Sequence, residues 1–207
     1  ILSNKINSLW KINKINIFNF KSKSGPSSLI HFQNKENNPI FYTIKYNNFF
    51  LNLKSKIKGN PLLRIFDDKK IKNFLSKQIK KDNYNLIINC SSSNLISKKF
   101  FFKKIIKDYN AFAFTTTIKH KKFSNHIASQ YFTELGPMAF LPISGNYTSV
   151  IWSVKLYNKK YKNFFNNKII KNRIRELFPF KSDKITFSLI NKFNLNFSIP
   201  KEYYKKN

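Results

Sequence analysis

Residues 130–154 read QYFTELGPMAFLPISGNYTSVIWSV, and two strand signals lie inside them, at residues 138–143 and 147–154. Ser144, Gly145 and Asn146 separate the two runs. That is the length of a tight hairpin loop, and Gly145 offers it a positive φ. Upstream, residues 111–118 (AFAFTTTI) are strand-like, with Phe112 and Phe114 on one face and Ala113 and Thr115 on the other. Downstream, Phe165, Ile169, Ile170, Ile174 and Leu177 recur at helical spacing and predict a helix over 157–177. Residues 187–204 read as irregular chain or short strand.

The first half of the chain is less regular. Residues 14–20 and 29–32 predict short strands, joined by a turn at 22–28 (SKSGPSS), and residues 40–46 predict a third. A helix follows, capped by Asn47 or Asn48, with Phe49, Phe50, Leu53 and Ile57 at helical spacing and Gly59 and Pro61 to stop it. Residues 71–79 predict a second, short helix. Residues 85–90 (NLIINC) predict a buried strand entering the polar loop Ser91, Ser92, Ser93, Asn94, with Cys90 as a small buried hydrophobe. No internal repeat is present. The fold class is α+β, with strands dominating the second half.

Composition narrows the classes. At 207 residues with 42% hydrophobic content, the chain can bury a real core. Its net charge of +30 invites a nucleic-acid reading. Only Arg64, Arg173 and Arg175 among the 39 basic residues are arginine, however, and the lysines are spread along the whole chain. Arginine is the residue that reads phosphate and guanine bidentately. Lys, Asn, Ile and Phe, all encoded by A/T-rich codons, are inflated together, so the charge reads as compositional and nucleic-acid binding is not expected. A basic RNA- or ribosome-associated protein stays as an alternative. The single cysteine excludes an internal disulfide and an all-Cys zinc site. His31, His120 and His126 do not fall at ligand spacing, so no metal is expected. Residues 119–122 (KHKK) read as a solvated turn and His126 as a surface or turn residue. No apolar run nears the ~20 residues that span a bilayer. No signal peptide is visible, and a cytoplasmic location is the expectation.

The segment 130–154 resembles a hallmark of the FAD-dependent monooxygenases of ubiquinone biosynthesis, class A flavoprotein hydroxylases with the para-hydroxybenzoate hydroxylase fold. Their pattern runs Gln-x-Phe, Gly-Pro-x-Ala-x-Leu-Pro, a short turn, then Ser-x-Val/Ile-Trp. Here the matching positions are Gln130, Phe132, Gly136, Pro137, Ala139, Leu141, Pro142, Ser149, Ile151 and Trp152. His126 and Ala128 stand where the family carries a His and an Ala. Leu2, Ser3, Trp10 and residues 41–53 resemble its earlier passages. The resemblance implies an incomplete para-hydroxybenzoate-hydroxylase-like fold with a mostly antiparallel substrate-domain sheet. It implies substrate-domain strands over 1–46, a remnant of the FAD-binding half over 47–100, the substrate-binding sheet and helix over 101–190, and a return segment over 191–207.

It also implies aromatic-ring hydroxylation in which reduced FAD and O2 carry the hard chemistry. The protein's share is to hold the ring and exclude water. The implied substrate is a polyprenylated phenol or quinone precursor, the implied partners are other ubiquinone-biosynthesis proteins, and the implied location includes the periphery of the inner membrane. The substrate-wall candidates are Phe132, Gly136, Pro137, Met138, Ala139, Leu141, Pro142 and Trp152; no catalytic acid or base is assigned. Both prolines suit edge strands as well as a wall, and Trp152 and Phe132 suit a core as well as a ligand.

Departures from the family pattern are specific. The Gly-x-Gly-x-x-Gly unit that brings backbone to the FAD pyrophosphate has no match in these residues. The family's Gly-Ala-Asp-Gly-x-x-Ser motif is eroded to Asn89, Cys90, Ser91, Ser92, Ser93, Asn94 and Leu95, leaving Asn89, Ser91 and Ser92 as cofactor-binding candidates. A Gly-Asp-x-x-His motif would fall beyond Asn207. The chain is therefore expected to be a partial or degenerate member, with a non-catalytic remnant or accessory chain as the alternative.

Overall fold

The computed structural model describes residues 9–21, 25–34, 38–63, 86–91, 94–155, 165–180 and 184–204. The helix expected at 71–79 and the first part of the one expected at 157–177 fall outside them. The strands are β1 (Trp10–Ile12), β2 (Lys14–Lys21), β3 (Gly25–Gln33), β4 (Phe41–Thr43), β5 (Lys104–Lys119), β6 (Ile127–Thr133), β7 (Gly136–Ser144), β8 (Tyr147–Lys155), β9 (Thr186–Phe187) and β10 (Asn191–Pro200). The described helices are α1 (Tyr46–Ile57), α2 (Leu95–Phe100) and α3 (Asn167–Leu177).

The main sheet runs in the order β10-β5-β8-β7-β6-β2-β3, with β9 added against β5, and β1 and β4 form a separate pair. Pairings β2–β3, β5–β8, β6–β7 and β7–β8 are antiparallel, while β2 meets β6 in parallel. The period of two in the sequence becomes two faces. On one face Phe114, Tyr131, Met138, Phe140, Val150, Trp152 and Val154 are buried and contiguous. Helix α3 covers that face with Ile170, Ile174 and Leu177. Full burial of such side chains stabilises by about 1.5–3 kcal/mol each before entropy is counted. The helix starts where Asn166 Oδ1 accepts the Ile169 N–H at 3.0 Å, which satisfies one of the orphan amides of the first turn.

Several expectations need correcting. Residues 86–90 form no strand, Leu86 and Ile88 are exposed, and Cys90 is exposed. An apolar run becomes a strand only with a ladder partner, and none of the described residues pairs with it. Residues 25–28, read as turn, belong to β3, and the helix after β4 begins at Tyr46. Residues 191–200, read as irregular or short strand, form the ten-residue β10. Ser144 pairs with Tyr147, so the hairpin loop is Gly145 and Asn146 alone. Positive φ occurs at Gly25, Gly59 and Gly136 and not at Gly145. A Cβ at Gly145 would come 3.3 Å from the Phe123 carbonyl oxygen, a tight contact that the neighbouring chain would have to relieve by a few tenths of an ångström. Pro137 and Pro142 are not on an edge, since β7 lies between β6 and β8. Pro137 is at the strand start and Pro142 adjoins a register shift, places where a missing amide is tolerated.

By backbone proximity the chain divides into two compact units. One comprises residues 1–56 and 109–195, and the other 57–108 and 196–207. The first contains the core just described. In the second, the described buried residues are Ile96 and Ser97, and the Lys201 amide donates to the Lys103 carbonyl at 2.9 Å.

Candidate functional site

Register decides which of the wall candidates can meet a ligand. Phe132 opposes Pro137, Gln130 opposes Ala139, Ala139 opposes Ile151 and Leu141 opposes Ser149. Ile151 in turn opposes Thr115, and Ser149 opposes Thr117. Opposed residues share a face, so Phe132, Pro137, Ala139, Leu141 and Ile151 form one apolar surface, with Gln130, Ser149 and Thr115 set into it. Phe132 is exposed and the others are half-buried. The parallel register of β2 on β6 adds Ile17 beside Gln130. The surface is apolar and sparing in hydrogen-bonding groups, the composition of a ligand wall.

Met138, Pro142 and Trp152 are on the opposite face. Met138 is 0% and Trp152 1% exposed, and Pro142 is fully buried as well. They are core residues with no surface for a ligand, so the eight-residue wall divides between two faces of one hairpin. Trp152 packs edge-on against Phe165 at 5.5 Å, and its buried Nε1 has no hydrogen-bond partner. Gly136 belongs to neither face. Its φ is +131°, and a Cβ would come 2.2 Å from the Ser153 carbonyl oxygen. Only glycine lets the β6–β7 turn lie so close to β8. Thr133 Oγ1 donates to the Gly136 carbonyl across that turn at 2.6 Å.

The eroded cofactor motif is closed on itself. Asn89 Oδ1 accepts from the Ser91 amide at 3.2 Å and from Asn94 Nδ2 at 2.7 Å, while Asn89 Nδ2 donates to Ser97 Oγ at 2.7 Å. Ser97 Oγ donates to the Ser91 carbonyl, and Asn94 Oδ1 caps the Ser97 amide at 2.9 Å. The N-terminus of α2 is thus occupied by its own chain. These side chains make an N-cap, not a phosphate cradle, and do not fit a flavin pyrophosphate. Ser92 is outside the described residues. Among the described residues no group of His, Cys, Asp or Glu could hold a metal, and no helix is long and apolar enough to cross a membrane.

One polar cluster was not legible in the sequence. His120, read as part of a solvated turn, is buried. Its Nδ1 is 2.9 Å from the Lys121 carbonyl, which can only accept, so Nδ1 carries the proton. Nε2 then accepts from Thr148 Oγ1 at 2.9 Å, and Thr148 Oγ1 accepts from Asn125 Nδ2 at 3.0 Å. Asn125 Nδ2 also reaches the Ser144 carbonyl at 2.8 Å, and the Asn125 carbonyl accepts from Trp10 Nε1 at 2.6 Å. The cluster ties β1 and the end of β5 to the β7–β8 hairpin. His126, expected at the surface, is half-buried, stacks on Trp10 at 4.7 Å and donates from Nδ1 to the Lys11 carbonyl at 2.8 Å. Both histidines are structural. Tyr131, in the core, has its phenol pKa raised above the ordinary value by desolvation.

Comparison with solved structures gives a number of overlaps, among them two flavin-dependent proteins. A tetracycline destructase, Tet(51), aligns over 99% of this chain with a TM-score of 0.48 and 12% identity. CmlS, a flavin-dependent halogenase, aligns over 96% with a TM-score of 0.47 and 13% identity. The chain spans 57% of the first of these proteins and 39% of the second. No family model matches the sequence, and no curated protein matches it.

Proposed function

We propose that this chain provides the substrate-binding sheet of a flavin-dependent aromatic-ring hydroxylase of the ubiquinone-biosynthesis type. The observation that carries this is the conjunction of motif and face. Phe132, Pro137, Ala139, Leu141 and Ile151, half the matched positions of the pattern in residues 130–154, form one half-open apolar surface. Of the other wall candidates, Met138, Pro142 and Trp152 belong to the core beneath this surface. A ring with a long prenyl tail suits it, because the tail needs apolar area and the ring needs few polar anchors. Gln130 and Ser149 are the anchors available to a phenol hydroxyl. FAD is the cofactor the family pattern implies, and O2 is the oxidant it would activate once reduced. Asn89, Asn94 and Ser97 are engaged with one another and with the Ser91 backbone, so this reading assigns the flavin's phosphates to other residues.

The test is a fluorescence titration of the full chain with a polyprenylated phenol, read from its tryptophans. Saturable binding is expected, weakened about tenfold when Leu141→Asp places a charge in the apolar surface. Absence of saturable binding, or equal affinity in the variant, would remove the reading.

A further inference from the structure

Ile17 of β2 opposes Ile30 of β3, but Phe18 opposes Ser28, so Leu29 is the extra residue of a β-bulge. In an unbroken strand, residues three apart point to opposite faces. The bulge cancels that alternation and sets Ser28 and His31 on one face. Their partners across the ladder, Phe18 and Asn16, share that face of β2. Ser28 Oγ is 2.7 Å from His31 Nε2, and His31 Nδ1 is 2.9 Å from Asn16 Oδ1. An amide oxygen only accepts, so Nδ1 carries the proton and donates to Asn16, and the bare Nε2 accepts the Ser28 hydroxyl. Hydroxyl, imidazole and a polar orienting group thus stand in the order that activates a serine. The buried pair of Thr148 and His120 also sets a hydroxyl on Nε2, but solvent does not reach it. Ser28 and His31 are exposed, Asn16 is half-buried, and the Phe18 ring lies edge-on to His31 at 6.4 Å.

We propose that Ser28 and His31 are the nucleophile and general base of a second activity, hydrolysis of aryl esters, with Asn16 as the positioning residue. Ser28 Oγ attacks the ester carbonyl carbon and its proton passes to His31 Nε2. The carbonyl π pair moves to oxygen, giving a tetrahedral adduct. Collapse breaks the bond to the aryloxy oxygen, which leaves with its electron pair and takes the proton from Nε2. Water then gives a proton to Nε2 and attacks the acyl group on Ser28. The carboxylic acid leaves, and Ser28 Oγ regains the proton. Asn16 Oδ1 keeps the ring in the tautomer that this cycle needs. β3 is an end strand of the main sheet, and a sheet edge presents backbone amides that a developing oxyanion can use. The site is open, so it suits an ester whose leaving group needs little assistance. A phenolate is such a group, and its ring can meet Phe18. The site is on the face opposite Phe132 and Leu141, so it does not rest on the hydroxylase reading.

The test treats the full chain with a fluorophosphonate probe, maps the adduct by peptide mass spectrometry, and follows turnover of para-nitrophenyl acetate. Phosphonylation of Ser28 is expected. Ser28→Ala should reduce turnover to the slow reaction of the chain's lysines, and His31→Gln should lower both labelling and turnover about 100-fold. Ser27 is the internal control: it is also exposed on β3, but its Oγ donates to the Asn19 carbonyl at 3.4 Å on the other face. Ser27→Ala should change neither readout. Asn16→Leu should lower kcat with KM unchanged, and Asn16→Asp, which keeps the acceptor, should restore it. Ser28 and His31 are exposed, so circular dichroism and melting of their variants should match the parent. The adduct on the parent chain makes the test independent of how any variant folds. No adduct at Ser28, equal labelling of Ser27 and Ser28, or equal turnover by the parent and Ser28→Ala would each overturn the proposal.

Discussion

Gly136 and Gly25 both have positive φ, but a Cβ at Gly136 would be 2.2 Å from the Ser153 carbonyl oxygen, whereas nothing lies within 4 Å of one at Gly25. Gly25→Ala should therefore cost only the backbone term, about 1 kcal/mol. Gly136→Ala should add a main-chain clash and cost about 3 kcal/mol or more. Urea midpoints of the two variants check this, and equal costs would contradict it. Tyr131 gives a pH dependence. Its folded pKa is raised above the unfolded value of about 10, so the neutral phenol is favoured by folding. Its contribution is fully present below about pH 10 and is lost as pH rises from there through the folded pKa, because the unfolded chain ionises first. Tyr131→Phe should make the alkaline fall in melting temperature shallower without changing its slope near neutrality.

The hydrogen-bonded cluster is an element-scale device, since it joins strand ends distant in sequence. Thr148→Val should leave His120 Nε2 unsatisfied in the core, while Asn125 Nδ2 keeps the Ser144 and Tyr147 carbonyls, and should cost about 1–3 kcal/mol. Thr148→Ser, which keeps the hydroxyl, should cost less; chemical denaturation of the pair checks both. At this same scale the sequence was uneven in what it disclosed. The hairpin of β7 and β8 was legible because two strand-like runs flank the turn residues Ser144, Gly145 and Asn146. Residues 86–90 have strand composition, but pairing is a property of neighbours and no local run encodes it. β10 did carry a signal, since Phe193, Leu195, Phe197 and Ile199 alternate with Asn194, Asn196 and Ser198 at the period of two expected of a strand. His120 carried none: its partner Thr148 is 28 residues away, and the lysines around it suggest water. The wall candidates were named together from one motif, but their division between faces depends on the phase of the alternation, which only the register fixes.

For the whole molecule, the distribution of burial matters more than the charge. Both described arginines are occupied structurally, Arg173 over the Phe20 ring at 4.7 Å and Arg175 over Phe187 at 4.9 Å. The two compact units differ in what they bury: the first holds the contiguous core, while Ile96 and Ser97 are the described buried residues of the second. Opening free energies follow local burial. Amide exchange should therefore be faster at residues 95–101 than at 138–152 by several orders of magnitude. Equal protection across both segments, read by mass spectrometry, would show one cooperative unit instead.

The parallel seam between β2 and β6 has a temporal consequence. Lys14 pairs with Ile127, so the ribosome must add more than a hundred residues before β2 can meet its partner. At about 5–20 residues per second that wait is on the order of ten seconds. Throughout it, the nascent hairpin of β2 and β3 displays Leu29, Ile30 and Phe32, side chains that remain about half exposed even in the finished fold. The hairpin of β2 and β3 is thus a segment that a holdase could shield throughout that interval.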